Sequence, residues 1–216
     1  MGKRTTLALV AVGILGTAFA GRRYLQDRTT PQVEYETVAR VGDVEIRRYP
    51  PTVLVETVAP SENAAFRRLF RYISGSNRSA TEVSMTAPVE SAPGPRDGDA
   101  ISMTAPVESN SDADGVRMAF YLPAEYDYDS APRPTDDAVR LVEMPGRTLA
   151  VLGFSWWTTD DRVARKTDEL RTTLADAADE FDIVGAPFLL RYEGPWVPPF
   201  LRTNEVAVPV RRARSA

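Results

Sequence analysis

Short stretches in which apolar and polar residues alternate follow the first thirty residues, a pattern typical of half-buried β-strands. Two of them, 44–49 and 52–58, flank Pro50-Pro51 and predict two strands around a turn. Between the N-cap candidate Ser61 and the C-cap candidate Gly75, apolar residues then recur at the spacing of one helix face: Phe66, Leu69, Phe70 and Ile73. The pattern indicates a strand–turn–strand–helix unit.

The same order of elements returns in the second half of the chain. Strand-like stretches 139–143 and 148–152 flank Pro145-Gly146, and Thr159 precedes a second amphipathic helix. Stretches 188–192 and 206–210 supply the last strands. A unit used twice predicts a duplicated α+β fold.

A sharper repeat lies between the two units, where residues 84–91 recur letter for letter at 102–109. Proline, glycine and aspartate separate the copies, so we expect a β-hairpin with a long polar loop. Proline cannot donate to a β-ladder, which predicts that Pro88 and Pro106 lie at strand ends or on an edge. In the first copy an apolar face alternates with a wet one: Met85, Ala87 and Val89 against Thr86, Pro88 and Glu90. A further strand, 116–122, completes a meander with a methionine-rich inner face.

The N-terminal region has the features of a membrane segment. Residues 5–21 carry no charge and are bracketed by Lys3-Arg4 and Arg22-Arg23, which favours a single uncleaved helical anchor. The alternative is a secretory signal, because Ala18-Phe19-Ala20 fits a cleavage site and would leave a secreted protein. The basic residues on the two sides do not decide the orientation in the membrane.

The division into regions follows from these patterns. We expect an N-terminal anchor or signal with its linker at 1–30, one ligand-binding domain at 31–210, and a basic tail at 211–216.

Composition excludes several kinds of chemistry. The 216 residues include no cysteine and no histidine, which excludes disulfides, thiol nucleophiles, catalytic triads with histidine and Cys/His metal sites. The net charge is −4 although both ends of the chain are basic, so the body between them is acidic. An acidic body argues against nucleic-acid binding, and no metal site is predicted.

Four separated motifs resemble those of one known family. They are Val-Glu-Ile-Arg-Arg-Tyr at 44–49, Met-Thr-Ala-Pro-Val at 85–89, Met-Ala-Phe-Tyr-Leu-Pro at 118–123, and the long motif at 191–206. In this order they are similar to the SOUL haem-binding proteins, over about residues 33–210. The resemblance implies a distorted antiparallel β-barrel of two pseudo-repeats with two flanking α-helices. It also implies non-catalytic binding of haem, a porphyrin or another planar apolar ligand in an apolar groove.

The chain departs from the family in one respect, because some members use a histidine as the axial ligand of the iron and this chain has none. We therefore expect apolar contacts and basic partners for the propionates to supply most of the affinity. Methionines could ligate iron, although in strands they more often fill a core. The candidate binding residues are Met85, Met103, Met118, Phe120, Trp156, Trp196 and Phe200.

Other functions stay open at this stage. A small hydrolase that uses carboxylate and tyrosine groups in the same barrel is one alternative, and a non-catalytic interaction module is another. The proline-stiffened loop 194–200 could cover a pocket or simply pack over the end of the barrel. Glu205 could act as an acid or base if it is buried, or it could anchor that loop through ion pairs.

Overall fold

A computed structural model describes residues 30–93, 115–194 and 197–213 of the chain. These residues form ten strands, two α-helices and a short 3-10 helix at Pro199–Leu201. The strands are β1 (Glu36–Val41), β2 (Val44–Tyr49), β3 (Thr52–Ala59), β4 (Thr86–Pro93), β5 (Val116–Tyr121), β6 (Val139–Met144), β7 (Arg147–Phe154), β8 (Phe181–Ile183), β9 (Phe188–Arg191) and β10 (Asn204–Arg212). The helices are α1 (Glu62–Ile73) and α2 (Asp160–Ala175).

All the strands belong to one antiparallel sheet in the order β1–β2–β7–β10–β9–β4–β5–β3–β6, with β8 paired to β10. Within the described residues β1 and β6 each pair on one side only, so the sheet curls without closing into a ring. The predicted α+β fold, a distorted antiparallel barrel with two helices, is confirmed. Its two pseudo-repeats are interleaved in the sheet, since β2 pairs with β7, β3 with β6 and β4 with β9.

The two predicted turns are bends in long strands. β2 pairs with β7 and β3 pairs with β6, whereas β2 and β3 do not pair with each other. The register is the same on both sides of the bends, with Tyr49 opposite Arg147 and Thr52 opposite Met144. The bends lie against each other, because a Cβ on Gly146 would come within 3.3 Å of the Tyr49 carbonyl oxygen. Glycine is therefore favoured at this close approach, since a Cβ would push the neighbouring atoms away by a few tenths of an ångström.

Each helix covers one half of the outer face of the sheet. α1 packs on β3 and β5, and α2 packs on β7 and β10. The N-cap prediction for α1 is confirmed, since Ser61 Oγ accepts a hydrogen bond from the backbone N–H of Ala64. Gly75 follows the helix with φ +95°, as expected for a C-terminal glycine. Phe70, however, belongs to the predicted apolar face and is 48% exposed.

The first copy of the repeat forms β4, which pairs with β5 on one side and β9 on the other. The predicted hairpin between the two copies is therefore wrong for β4, whose neighbours in the sheet are other strands. The second copy, 102–109 with its Pro106, lies outside the described residues. Pro88 lies inside β4, contrary to the prediction of an edge or end. The ladder to β5 is irregular between Thr86 and Val89, and such a bulge accommodates a residue without an N–H.

In the part of the chain that the structure describes, no helix is long and apolar enough to cross a membrane. The predicted anchor, residues 5–21, lies outside that part. The anchor and the boundaries 1–30, 31–210 and 211–216 stay predictions.

Candidate functional site

The predicted binding residues fall into separate regions of the fold. Two of the seven, Met103 and Trp196, lie outside the described residues. Three belong to the first pseudo-repeat, on or beside β4 and β5: Met85, Met118 and Phe120. Two belong to the second pseudo-repeat and are 49% and 59% exposed: Trp156 and Phe200. The single pocket that would hold all of these side chains is not formed by the described residues.

The first region is a strip of apolar side chains along one flank of α1. Phe66 packs edge-on against Phe120 of β5, with ring centroids 5.4 Å apart, and stacks on Phe70 at 5.9 Å. Val89 lies opposite Phe120 in the β4–β5 ladder, and Met85 packs against the same core cluster. We call these four outer residues the α1–β4 surface: Phe66, Phe70, Met85 and Val89.

Buried apolar side chains lie directly beneath this surface. Met118 and Phe120 are 2% and 1% exposed and lie beneath α1, where they support the strip from below. They are therefore core residues, which a ligand on the α1–β4 surface would not contact directly.

Basic side chains accompany the strip on α1 and at the end of β9. Arg67 is exposed, whereas Arg71 pairs with Asp136 and lies with Arg68 and Val139 on the flank of α1 that faces β6. Arg191 donates two hydrogen bonds to Glu62, at 2.7 and 2.8 Å, and one to Ser91. Guanidinium groups suit carboxylates, because they offer paired donors in one plane.

The second region is an exposed aromatic group between β7 and α2. The backbone N–H of Trp156 donates to the carbonyl oxygen of Pro199, which holds the residue at φ +81°. The Trp156 and Phe200 rings lie 6.4 Å apart, and the Arg202 guanidinium lies 4.5 Å above the Trp157 ring. The 3-10 helix thus brings aromatic side chains of two loops together on the surface.

The interior of the barrel contains two charged networks, and sequence reasoning missed the one around Glu90. Glu90 of β4 is 2% exposed and accepts hydrogen bonds from Arg117 at 2.8 Å, Arg147 at 2.7 Å and the Tyr121 hydroxyl at 3.1 Å. Arg117 also binds Glu56 of β3, at 2.7 Å. One network therefore links three strands of the first pseudo-repeat to β7 of the second.

A second network surrounds Glu205 of β10. Arg47 binds both carboxylate oxygens of Glu205 at 2.9 Å, and the Tyr192 hydroxyl donates to Glu205 at 2.7 Å. Arg47 also binds Glu45 and lies 4.3 Å from the centroid of the Tyr35 ring. Of the two roles left open for Glu205, the ion-pair anchor fits this geometry.

The electrostatics of these networks favour fixed charges. Burial would raise the pKa of Glu90, but Arg147 and Arg117 outweigh burial and leave the pKa below its ordinary value. Burial, reinforced by Glu90 and Glu205 respectively, raises the pKa values of Tyr121 and Tyr192. Glu90 therefore stays ionised and both tyrosines stay protonated near neutral pH, which suits structural ion pairs better than proton transfer.

The prediction of a solvent-exposed face and a buried face for the first repeat copy is wrong for four of its residues. Thr86 and Glu90, on the predicted wet face, are 4% and 2% exposed, whereas Met85 and Val89 are only half-buried. The available signal in the sequence was a glutamate, Glu90, within an otherwise uncharged predicted strand. Its arginine partners come from β5 and β7, which local alternation cannot reveal.

Two of the clefts formed by the described residues are lined largely by charged side chains. One of about 320 Å³ lies beside β2 and α2, and the other of about 120 Å³ lies beside α1. The larger cleft is bordered by Glu45, Arg47, Lys166 and Glu169, and the smaller by Arg68, Arg71 and Asp136. These linings do not match a flat apolar ligand, whereas the two aromatic surfaces present apolar side chains.

By sequence, the chain is similar to proteins that are named as heme-binding proteins. Residues 30–209 match the family described as SOUL heme-binding protein. Human heme-binding protein 2 is 30% identical over 145 residues, which cover 64% of this chain and 63% of that protein. Heme-binding protein 1 of Sus scrofa is 26% identical over 143 residues, which cover 66% of this chain and 67% of that protein. The chain thus spans less than two thirds of the length of the human relative.

Comparisons of structure find the same curled sheet in distant proteins. EcmrR, in its complex with DNA, aligns with a TM-score of 0.54 at 10% identity, over 98% of this chain and 71% of EcmrR. A hydrolase from Listeria innocua aligns with a TM-score of 0.50 at 13% identity, over 81% of this chain and 94% of the hydrolase. At such identities the likeness concerns the fold alone.

Proposed function

The chain belongs to the SOUL heme-binding protein family, and from this premise we propose that it binds a haem-like tetrapyrrole on the α1–β4 surface, without a histidine ligand. The relatives it matches are named as heme-binding proteins. The proposed role is reversible binding of a planar apolar molecule.

The observation that carries the proposal is the exposed phenylalanine on α1. Phe70 is 48% exposed although it stacks on Phe66, which is anchored in the core through Phe120. A flat ligand laid on this flank would cover Phe70 and reach the half-buried side chains of Met85 and Val89. Burial of aromatic and aliphatic area of this kind is the main source of affinity in apolar sites.

Coordination of iron contributes little in this proposal. The chain has no histidine and no cysteine, and Met85 is the one described methionine on the α1–β4 surface. A thioether is a weak ligand, and methionine in a strand serves well as a flexible filler. Haem and iron-free porphyrin should therefore bind with similar affinity.

Arginines beside the strip would hold the propionates. Arg67 lies on the exposed side of α1, and Arg191 lies at the end of β9 beside Ser91. Arg191 already pairs with Glu62, so a propionate at that position would exchange one carboxylate for another. Such pairs at a rim orient a ligand more than they add affinity.

The experiment is a parallel titration of the full chain, in a mild detergent, with haemin and with iron-free protoporphyrin IX. The Soret band follows haemin and porphyrin emission follows protoporphyrin, each against a blank of detergent alone. We expect saturable binding of both, with dissociation constants that agree within about threefold, because contact area and not iron sets the affinity. Saturable binding of haemin alone would contradict ligation-free binding, and saturation by neither would contradict the proposed function.

A further inference from the structure

The exposed aromatic group between β7 and α2 places several large apolar side chains together on the surface. Four large apolar side chains lie there in two short segments. We call them the Trp156 face: Trp156, Trp157, Phe200 and Leu201, which are 49%, 52%, 59% and 38% exposed. Apolar side chains grouped in this way on a surface mark an interaction site more often than single ones do.

The Trp156 face lies at a defined end of the sheet. Phe154 at the end of β7 is opposite Asn204 of β10, which is opposite Arg191 of β9. Arg191 is in turn opposite Val89, near the beginning of β4. The last residues of β7 and β9 and the first of β10 and β4 therefore lie side by side.

The N-terminal part of the chain enters the fold at this same end. The backbone N–H of Ala87 donates to the Pro31 carbonyl oxygen at 2.9 Å, and that of Val33 donates to the Ala87 carbonyl oxygen at 3.0 Å. Since β4 and β7 are three strands apart in the sheet order, the lateral separation is about 15 Å.

The sequence before this entry point is the predicted membrane anchor. Residues 5–21 are uncharged, and residues 22–30 can span at most about 30 Å when fully extended. An anchor at 5–21 would therefore keep the end of the sheet that bears the Trp156 face within reach of the bilayer surface.

The chemistry of the face fits the headgroup layer of a membrane. Tryptophan is favoured at that depth because its ring is apolar and its N–H is polar. Phenylalanine and leucine beside it add apolar area that inserts below the headgroups. Arg202 over Trp157 and Arg162, which donates to the Trp157 carbonyl oxygen, add basic groups that can reach lipid phosphates. Asp160 and Asp161 at the start of α2 offset these charges, so the attraction would be apolar and only weakly dependent on salt.

We infer that the Trp156 face rests on the headgroup layer of the bilayer into which residues 5–21 insert. The inference depends on that anchor and is independent of tetrapyrrole binding, which concerns the α1–β4 surface. The two aromatic surfaces would thus have different occupants, one a small ligand and the other a lipid surface.

Tryptophan emission from the full chain in lipid nanodiscs tests the inference directly. The three tryptophans are Trp156, Trp157 and Trp196, so in a Trp196→Phe variant the emission comes from the face alone. We expect lipids brominated near the headgroup end of their acyl chains to quench about half of this emission. Raising the salt concentration should change the quenching little.

A pair of double variants on the Trp196→Phe background supplies the control. Phe200→Ser with Leu201→Ser should reduce the quenching about twofold, because two of the four apolar side chains are lost. Ile183→Ser with Val184→Ser removes comparably exposed side chains from the opposite end of β10, about 20 Å away, and should leave the quenching unchanged. Circular dichroism confirms that both fold.

Three results would overturn the inference. The chain could remain bound to the discs with emission insensitive to brominated lipid, which would place the face away from the bilayer. It could fail to bind discs at all. Its emission could also shift with protein concentration alone, in which case a second copy covers the face. Haemin binding is measured separately, so failure here leaves the proposed function untouched.

Discussion

The two pseudo-repeats use one plan and expose their apolar residues in different places. In the first, α1 leaves Phe70 exposed along its flank, over β5 and beside β4. In the second, the exposed group lies before the helix, at Trp156 and Trp157, and is joined by Phe200 from the loop that precedes β10. The two halves share the order of their strands and helix and differ in which surface residues are apolar.

The contrast indicates where function can differ within a duplicated fold. The barrel interior is occupied by the ion-pair networks of Glu90 and Glu205, and both helices are packed on continuous apolar cores. What remains variable is the surface beside each helix. The two halves are therefore stabilised in similar ways, and they differ in the surface that each offers to a binding partner.

The largest effect is expected where the halves are joined inside the barrel. Glu90→Ala leaves Arg147 and Arg117 buried without their shared carboxylate, so the free energy of unfolding should fall by about 3–5 kcal/mol. Urea denaturation measures it. The matched control is Glu36→Ala, whose pair with Arg48 is exposed and should matter by less than about 1 kcal/mol. Equal effects of both variants would refute the role given to the interior network.

The pH dependence of stability should reflect the same network. The pKa of Glu90 is lowered in the fold, so its stabilisation is complete above the ordinary value of 4.5 and is lost as the pH falls through the folded-state value. The raised pKa values of Tyr121 and Tyr192 predict a second loss of stability as the pH rises above 10. Urea midpoints measured across pH test both limbs. A Glu90→Gln variant should flatten the acid limb and, because the Glu90 charge reinforces the raised pKa of Tyr121, should also change the alkaline limb to a smaller extent.

The bend in the second half should tolerate less change than its position in a turn suggests. Gly146→Ala places a Cβ 3.3 Å from the Tyr49 carbonyl oxygen and 3.4 Å from Cδ of Pro51. The resulting shift should lower the free energy of unfolding by about 1–2 kcal/mol. Gly153→Ala, where a Cβ meets nothing within 4 Å, is the control and should change stability by less than about 1 kcal/mol.

Much of the fold could be predicted because its signals are local. The bends, the caps of α1 and the duplicated strand–helix order follow from short stretches around Pro50, Ser61, Gly75 and Pro145. The partners of β4 could not, since an identical second copy of its sequence made a hairpin the simplest local answer. The pairing of β2 with β7 and of β3 with β6 could not be predicted either, because these partners lie far apart in the sequence.

The candidate site was predicted less well for the same reason. Methionine and aromatic residues were recognised by type, but burial separates Met118 and Phe120 in the core from Met85 on the surface. Helical periodicity predicts Phe66 and Phe70 on the apolar face of α1, but it does not show which flank of the helix a neighbouring strand leaves uncovered. Glu90 was placed in water because its arginine partners are remote in sequence.

The smallest effect is expected at the methionine of the α1–β4 surface. Met85→Leu keeps the volume and the apolar character of the side chain and removes the thioether sulfur. Binding of haemin and of protoporphyrin IX should each change by less than about twofold. A large loss for haemin with protoporphyrin unaffected would assign Met85 as an iron ligand and contradict the contact-based binding proposed here.

The most direct measurement compares Phe70→Ala with Phe200→Ala, two exposed phenylalanines on different halves, in protoporphyrin IX titrations of the full chain. Phe70→Ala should weaken binding about 3- to 10-fold, the range expected for one stacked ring, and Phe200→Ala should leave the dissociation constant unchanged. If Phe200→Ala weakens binding and Phe70→Ala does not, the tetrapyrrole binds on the Trp156 face and the assignment of the two surfaces is wrong.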